Sequence, residues 1–143
     1  MSTPENTFIG SVHRHLPPVG ELYRMKNHNA YTGGIADVWY SGKAADFWIE
    51  YKFLKVPVRS TTIIDLIGGK NPSLSHLQQD WILGRHAEGR NIGVLVGCKE
   101  GGVWLPGDSW NRTFTTEWFK GQIKSRQELA KLIVSLVDGA SSG

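Results

Sequence analysis

Three of the charged side chains in the stretch GIADVWYSGKAADFWIEYK, residues 34 to 52, adjoin apolar runs. Asp37 precedes one apolar run, and Glu50 and Lys52 close a second one. Side chains two residues apart on a strand share a face, so we expect Glu50 and Lys52 to point one way and Tyr51 the other. If the two runs pair as a hairpin, Asp37 lies beside them. Two carboxylates and an ammonium in one small pocket suit a divalent cation that holds a phosphate and activates water.

The simpler interpretation of these residues is a hairpin that carries three solvent-facing charges. Such surface charges are common, and the ion pairs between them contribute little to stability. However, Glu50 and Lys52 lie in a strand of Trp, Ile, Tyr and Phe, where an unpaired charge is costly. Buried charges normally pair or bind a metal, so we favour the metal site.

The same stretch resembles the core of the PD-(D/E)XK nuclease superfamily, with Ile35-Ala36-Asp37 in place of the usual Pro-Asp. Within that superfamily it is most similar to the VRR-NUC and Holliday-junction-resolvase-like branches, and its short length is similar to that of stand-alone phage nucleases. Further matches are Glu5 at the start of a helix-like segment, YRMKN before the Gly-Gly-Ile-Ala-Asp turn, and LSHLQQDW, which resembles a Leu-Ser-x-x-Gln-x-x-Trp helix. The resemblance covers residues 5–98.

The resemblance implies a set of ligands for Mg²⁺ or Mn²⁺. Asp37 and Glu50 supply carboxylates, and the backbone carbonyl of Tyr51 is a further ligand. Glu5 on the first helix is expected to reach the same site. Its alternative role is that of an ordinary acidic residue in the first turn of a helix, where it favours the macrodipole.

Lys52 and Gln78 are the other catalytic candidates. Lys52 positions or deprotonates a water molecule, or it stabilises the negative charge that develops on the phosphate. Adjacent carboxylates favour the charged form of a lysine, so charge stabilisation is the preferred role. By resemblance, Gln78 supports the site or touches a phosphate, and its alternative is a solvated position on an amphipathic helix.

DNA is the implied partner. The net charge of +3 and a pI of about 9.1 fit a nucleic-acid partner, although many unrelated proteins are equally basic. Each candidate for a DNA contact, taken singly, is more typical of a solvated surface position. The candidates for DNA contacts are Arg24, Lys26, Lys55, Arg59, Lys70, His76 and Arg85.

The implied function is hydrolysis of phosphodiester bonds by a metal-dependent DNA endonuclease, selective for branched or junction DNA. Because a chain of 143 residues offers little surface for reading DNA, we expect a homodimer that places two active sites on two strands. A homing-type endonuclease that cleaves duplex DNA at a specific site shares this core and is the close alternative. A non-catalytic DNA-binding module and a structural or assembly protein are alternatives from other classes.

Composition limits the remaining possibilities. We expect one nuclease domain over residues 1–143, with a core at about 5–98, a C-terminal extension at about 99–138 and a frayed tail at 139–143. No apolar run approaches the ~18 residues of a membrane span, and no signal segment opens the chain. These features predict a cytoplasmic protein, in the host cytoplasm if it is phage-encoded, without an organic cofactor. The single cysteine, Cys98, excludes an intrachain disulfide and a cysteine-based zinc site, and we expect it to be buried.

The elements that would position the site form an α/β pattern. Helices are expected at 5–16, with Thr3 as the cap, from Ser73 or Ser75 to about residue 88, and at 125–137. The second helix would carry Leu77, Trp81 and Leu83 on its apolar side. Strands are expected at 21–27, 38–40 and 47–53, with an extended edge at 56–58 and a strand or short helix at 61–67.

Residues 92–97 form a nearly continuous apolar run, which predicts a strand buried on both faces and parallel to the site strand. Residues 101–119 are expected to contain a hairpin and a short helix. Trp104, Trp110 and Trp118 are expected in a second packed layer or in a dimer surface. The resulting order, αβββαβ with a C-terminal helix, predicts a restriction-endonuclease-like core with a mixed β-sheet flanked by helices.

Overall fold

The computed structural model describes residues 3–27 and 34–139. Helices and strands follow one another in a mixed α/β order. The elements are α1 (Pro4–His13), β1 (Tyr23–Lys26), β2 (Val38–Ser41), β3 (Asp46–Phe53), β4 (Ile63–Asp65), α2 (His76–Ala87), β5 (Ile92–Cys98), β6 (Gly101–Pro106), β7 (Thr113–Thr115), α3 (Thr116–Gln122) and α4 (Arg126–Asp138).

A mixed sheet of five strands in the order β1-β2-β3-β5-β6 forms the centre of the fold. Strands β1, β2 and β3 pair antiparallel, β3 and β5 pair parallel, and β5 and β6 pair antiparallel. The parallel pair requires a crossover, and α2 lies within it. The expected restriction-endonuclease-like architecture with a C-terminal helix is therefore confirmed.

Helices α1 and α4 cover one face of the sheet, and their apolar side chains pack with those of β2 and β3. Phe8 of α1 lies directly on the strands, because a Cβ atom at Gly97 of β5 would come within 2.5 Å of its ring. The other face is covered by α2, by α3 and by the small antiparallel sheet of β4 and β7. The metal-site candidates on β3 thus lie between two packed layers.

Local sequence signals explain where the helices that reach the site begin. Thr3 caps α1, with its Oγ1 accepting from the Asn6 N–H at 3.1 Å, and Pro4 occupies the first helical position. Ser75 and Gln78 form a reciprocal capping box at the start of α2. Helix α2 ends before Gly89, whose φ of +81° suits glycine.

Several sequence expectations differ from the structure. Helix α1 ends at His13, three residues before the expected end. Residues 56–58 belong to no strand and Val58 is 90% exposed, because β3 ends at Phe53 and the chain leaves the sheet after Leu54. The segment 61–67 contributes the three-residue strand β4 to the second sheet. Parts of the expected turn before Asp37 (residues 31–33) and of the expected tail (140–143) lie outside the described residues.

Leu77 was expected on the apolar side of α2, but its side chain is 64% exposed. The helix instead turns Ile82 into the core and Trp81 onto Trp48, with ring centroids 5.4 Å apart. This rotation brings Gln78, the neighbour of Leu77, to the sheet.

Among the late tryptophans and the cysteine, Trp110 and Cys98 are buried, whereas Trp104 and Trp118 are half-buried against the core. Trp110 is fully buried, Trp104 contacts Phe47 and Trp118 stacks on Phe114. Cys98 is buried, as expected. Among the helices described, none combines the length and the apolar character needed to cross a membrane.

Candidate metal centre

Three carboxylates from three separate segments converge at one end of β3. Glu5 comes from the first turn of α1, Asp37 directly precedes β2, and Glu50 lies on β3. One oxygen from each lies within 4.8 Å of those of the other two. The structure therefore brings together the acidic residues that the sequence placed in the site, including Glu5.

The two oxygens of the buried Glu50 carboxylate differ in their hydrogen bonding. This side chain is only 1% exposed. Its Oε2 accepts a hydrogen bond from the Gln78 amide at 3.2 Å and lies 3.4 Å from Nζ of Lys52. Its Oε1 is also buried, and it accepts no hydrogen bond from the described part of the chain. An unpartnered buried carboxylate oxygen is costly, and a hard cation shared with Asp37 and Glu5 would satisfy it.

Asp37 is held by backbone groups. Its Oδ2 accepts the Tyr51 N–H at 2.9 Å, and its own carbonyl accepts the Asn27 N–H at 2.7 Å. Gly34, with a φ of +93°, lies so close to α2 that a Cβ atom there would come within 2.6 Å of the Leu77 carbonyl oxygen. The segment before β2 is thus fixed between β3 and α2, with Asp37 directed at the site.

The strand geometry agrees with the sequence analysis. Glu50 and Lys52 share one face of β3, whereas the fully buried side chain of Tyr51 lies on the other face against Phe8. The assignment of the Tyr51 carbonyl as a metal ligand stays a prediction.

The electrostatics of the cluster favour the binding of a positive charge. Burial, followed by the charge of Asp37, raises the pKa of Glu5 from 4.5 to about 7, and Lys52 only partly offsets this. The same two causes raise the pKa of Glu50 well above its usual range. Carboxylates that hold protons in this way release them when a cation takes their place. The donor set, made of oxygen ligands alone, suits Mg²⁺ or Mn²⁺.

An open cleft of about 710 Å³ leads to the carboxylates. Its lining includes Glu5 and Asp37 together with two of the expected DNA-binding residues, Lys26 and Lys55. Lys26 donates to the Asn6 side-chain oxygen at 3.4 Å. Sequence reasoning missed Asn6, whose only signal was its position beside Glu5 in the first turn of a helix.

The other expected DNA contacts do not line this cleft. Arg24 donates to the carbonyl oxygens of Pro17 and Leu22. Arg85 lies over the Trp81 ring, 5.6 Å from its centroid, and pairs with Glu88. The remaining candidates are exposed: Arg59, Lys70 and His76.

Comparison with solved structures supports the fold class. The chain has the restriction-endonuclease-like architecture described above and is similar to several solved chains. One of these structures, at 1.6 Å resolution, is of Hjc from Archaeoglobus fulgidus, a Holliday junction resolvase from an archaeal hyperthermophile. The TM-score is 0.56 at 11% sequence identity, over 90% of this chain and 97% of that chain. No protein-family model matches the sequence, and no curated protein matches it.

Proposed function

We propose that this protein is a metal-dependent DNA endonuclease that hydrolyses phosphodiester bonds in branched or junction DNA. The observation that carries the proposal is the convergence of Glu5, Asp37 and Glu50 around a buried carboxylate oxygen that has no partner among the described residues. The fold supports it, because the similar Hjc structure is that of a Holliday junction resolvase. The PD-(D/E)XK motif resemblance of residues 34–52 supports the same assignment.

In this proposal Asp37, Glu50 and Glu5 hold Mg²⁺ or Mn²⁺, with the Tyr51 carbonyl as a further ligand. When bound, the ion supplies Lewis-acid polarisation of a phosphate and lowers the pKa of a coordinated water. Lys52 stabilises the negative charge that develops on the phosphate. This role suits its place, because its Nζ lies 3.4 Å from Oε2 of Glu50, beside the carboxylate cluster.

The surrounding residues orient the site and the substrate. Gln78 fixes Glu50 through its hydrogen bond to Oε2, and the capping box fixes Gln78 at the start of α2. Lys26 and Lys55 lie in the cleft with the carboxylates, where they contact the phosphates on either side of the cleaved bond. In this proposal Lys26 and Lys55 position the DNA, whereas the carboxylates and Lys52 act on the phosphate that is cleaved.

The protein acts as one nuclease domain and as a homodimer. Cleaving both strands of a junction needs two active sites, and the cluster described here can act on only one strand at a time. A homodimer supplies the second site by symmetry. Analytical ultracentrifugation with and without junction DNA tests this part of the proposal independently of activity.

A substrate panel tests the proposed activity. Labelled duplex, single-stranded, flap and four-way-junction DNA are incubated with Mg²⁺ or Mn²⁺, and each reaction is repeated in EDTA. We expect metal-dependent nicks near the branch, with 5′-phosphate ends, and no cleavage by the Glu50→Gln variant. Cleavage of duplex DNA at one sequence would indicate a homing-type enzyme instead. Salt-sensitive binding without cleavage in either metal would indicate a non-catalytic module.

A further inference from the structure

Three hydrogen-bonded side chains, two of them fully buried and His13 half-buried, lie behind the metal centre and take no part in the chemistry proposed above. The hydroxyl groups of Tyr40 and Tyr51 are 2.5 Å apart, and the Tyr40 hydroxyl is 2.8 Å from Nε2 of His13. Both tyrosines are fully buried. They lie on the face of the sheet that α1 covers, opposite Glu50 and Lys52.

The hydrogen bonds of this group can be assigned as a directed chain. Burial first, and then the nearby charges of Arg24 and Lys26, lower the pKa of His13 to about 4, so its ring is neutral at physiological pH. Burial raises the pKa of both tyrosines, which therefore stay protonated. If the Tyr51 hydroxyl donates to Tyr40 and the Tyr40 hydroxyl donates to His13, each proton has one acceptor. A chain that satisfies all its buried members specifies one arrangement of its elements.

The members of this chain come from the same three segments that supply the carboxylates. Helix α1 carries Glu5 near its start and His13 at its end. The segment that contains Asp37 continues into β2, which carries Tyr40.

Strand β3 carries both the third carboxylate and the third member of the hydroxyl chain, because Glu50 immediately precedes Tyr51. The Tyr51 backbone N–H also holds Asp37 directly, at 2.9 Å from Oδ2. The hydroxyl chain therefore joins α1 to β2 and β2 to β3, and the bond from the Tyr51 N–H to Asp37 joins β3 to the start of β2 a second time.

We propose that His13, Tyr40 and Tyr51 form a positioning network that fixes α1 and the Asp37 segment on β3, and so keeps Glu5 and Asp37 within reach of an ion held by Glu50. This inference rests on the proposed function for its metal site. The side chains of the network touch neither substrate nor metal, and their effect is on the geometry of the ligands. Groups that hydrogen-bond directly to metal ligands typically alter metal affinity by 10- to 100-fold when removed. This network lies one step further out, so we expect an effect at the low end of that range.

The alternative is that the network only stabilises the fold. A buried hydroxyl that loses its acceptor destabilises a protein wherever it lies, so a fall in melting temperature does not separate the two roles. Metal affinity of the folded protein does separate them. A matched control is Thr116→Val, because the buried hydroxyl of Thr116, at the start of α3, donates to the Thr62 carbonyl at 2.8 Å beside the second sheet. Thr116 lines no part of the carboxylate cleft.

The test compares Tyr40→Phe, Tyr51→Phe and Thr116→Val with the wild type in calorimetric titrations with Mn²⁺. We expect Tyr40→Phe to weaken Mn²⁺ binding roughly tenfold. Tyr51→Phe should have a smaller effect because it leaves the bond between Tyr40 and His13, and it serves the test if Tyr40→Phe does not fold. The Thr116→Val control should bind Mn²⁺ as the wild type does.

A second measurement, amide hydrogen exchange of the metal-free proteins, separates failure of this inference from failure of the proposed function. We expect α1 amides to exchange faster in Tyr40→Phe than in Thr116→Val, relative to those of α4. Mn²⁺ affinities of both tyrosine variants within twofold of the wild type would overturn the positioning role and leave the metal site standing. A wild type that binds no Mn²⁺ would overturn the metal site, and the positioning role with it, whatever the exchange rates show.

Discussion

The Glu5→Gln substitution tests whether the ionised carboxylate cluster lowers the free energy of unfolding of the metal-free protein. Since the pKa of Glu5 is raised to about 7 in the folded protein, against 4.5 for the ordinary group, the folded state holds the proton more tightly than the unfolded state. The stability from this proton is fully present below about pH 4.5 and is lost as the pH rises through about 7. The metal-free wild type should therefore lose stability over this range, and the Gln variant should lose less, because only Glu50 still contributes a raised pKa there.

The size of the effect follows from the same pKa values. At 1.36 kcal/mol per pKa unit, the rise from 4.5 to about 7 sets a ceiling of about 3 kcal/mol. Glu5 is only partly buried, so solvent screens part of this, and we expect a gain of about 1–2 kcal/mol for Glu5→Gln at pH 8. At pH 4 the two proteins should be nearly equal.

Urea unfolding in EDTA at a series of pH values between 4 and 8.5 measures this difference. Glu117→Gln is the matched control, because Glu117 is an exposed acidic residue in the first turn of α3. It removes a comparable favourable interaction with a helix dipole but lies in no carboxylate cluster of the described residues. A stability difference between wild type and Glu5→Gln that does not change with pH would refute the reasoning. Saturating Mn²⁺ should reverse the order and make the wild type the more stable protein.

Further predictions concern the other members of the site. Lys52→Ala should lower the cleavage rate by roughly 10²- to 10³-fold while circular dichroism and DNA affinity stay unchanged; retained turnover would remove Lys52 from the mechanism. Asp37→Asn deletes an anionic ligand, so calorimetry should show weaker Mn²⁺ binding, and an unchanged affinity would count against the site. Gln78→Ala should weaken Mn²⁺ binding more than Ser75→Ala, which removes the same capping box without touching Glu50. Wild-type Mn²⁺ affinity should rise with pH through about 7, because the ion displaces protons held by the cluster.

The sequence predicted the central strands from short-range patterns, and it predicted the acidic cluster from the motif resemblance. The alternation along 46–53 fixes which side chains of β3 share a face, and the buried run at 92–98 requires the parallel position beside it. The starts of α1 and α2 could be predicted from Thr3 and Ser75, because a capping residue acts within the first turn of its helix. Glu5 reached the site as the motif resemblance implied.

Other features depended on contacts that no local pattern contains. Leu77 reads as an apolar position of α2, but the rotation of that helix is set by Gln78 on Glu50 and by Trp81 on Trp48. Strand β4 pairs with β7, about 50 residues later in the chain, so three residues of β-propensity could not reveal a second sheet. The bond between His13 and Tyr40 likewise spans 27 residues.

The position of the amino-terminal end of α1 has a practical consequence for handling the protein. Thr3 and Pro4 line the same cleft as the acidic residues, so under the proposed function an affinity tag or fusion partner joined close ahead of α1 competes with DNA for that cleft. The carboxyl-terminal end of α4 lies elsewhere, since Asp138 accepts the Lys43 N–H beside the turn between β2 and β3, at the opposite end of those strands from Asp37 and Lys52. Purification handles and fluorophores for binding studies belong on that carboxyl-terminal side.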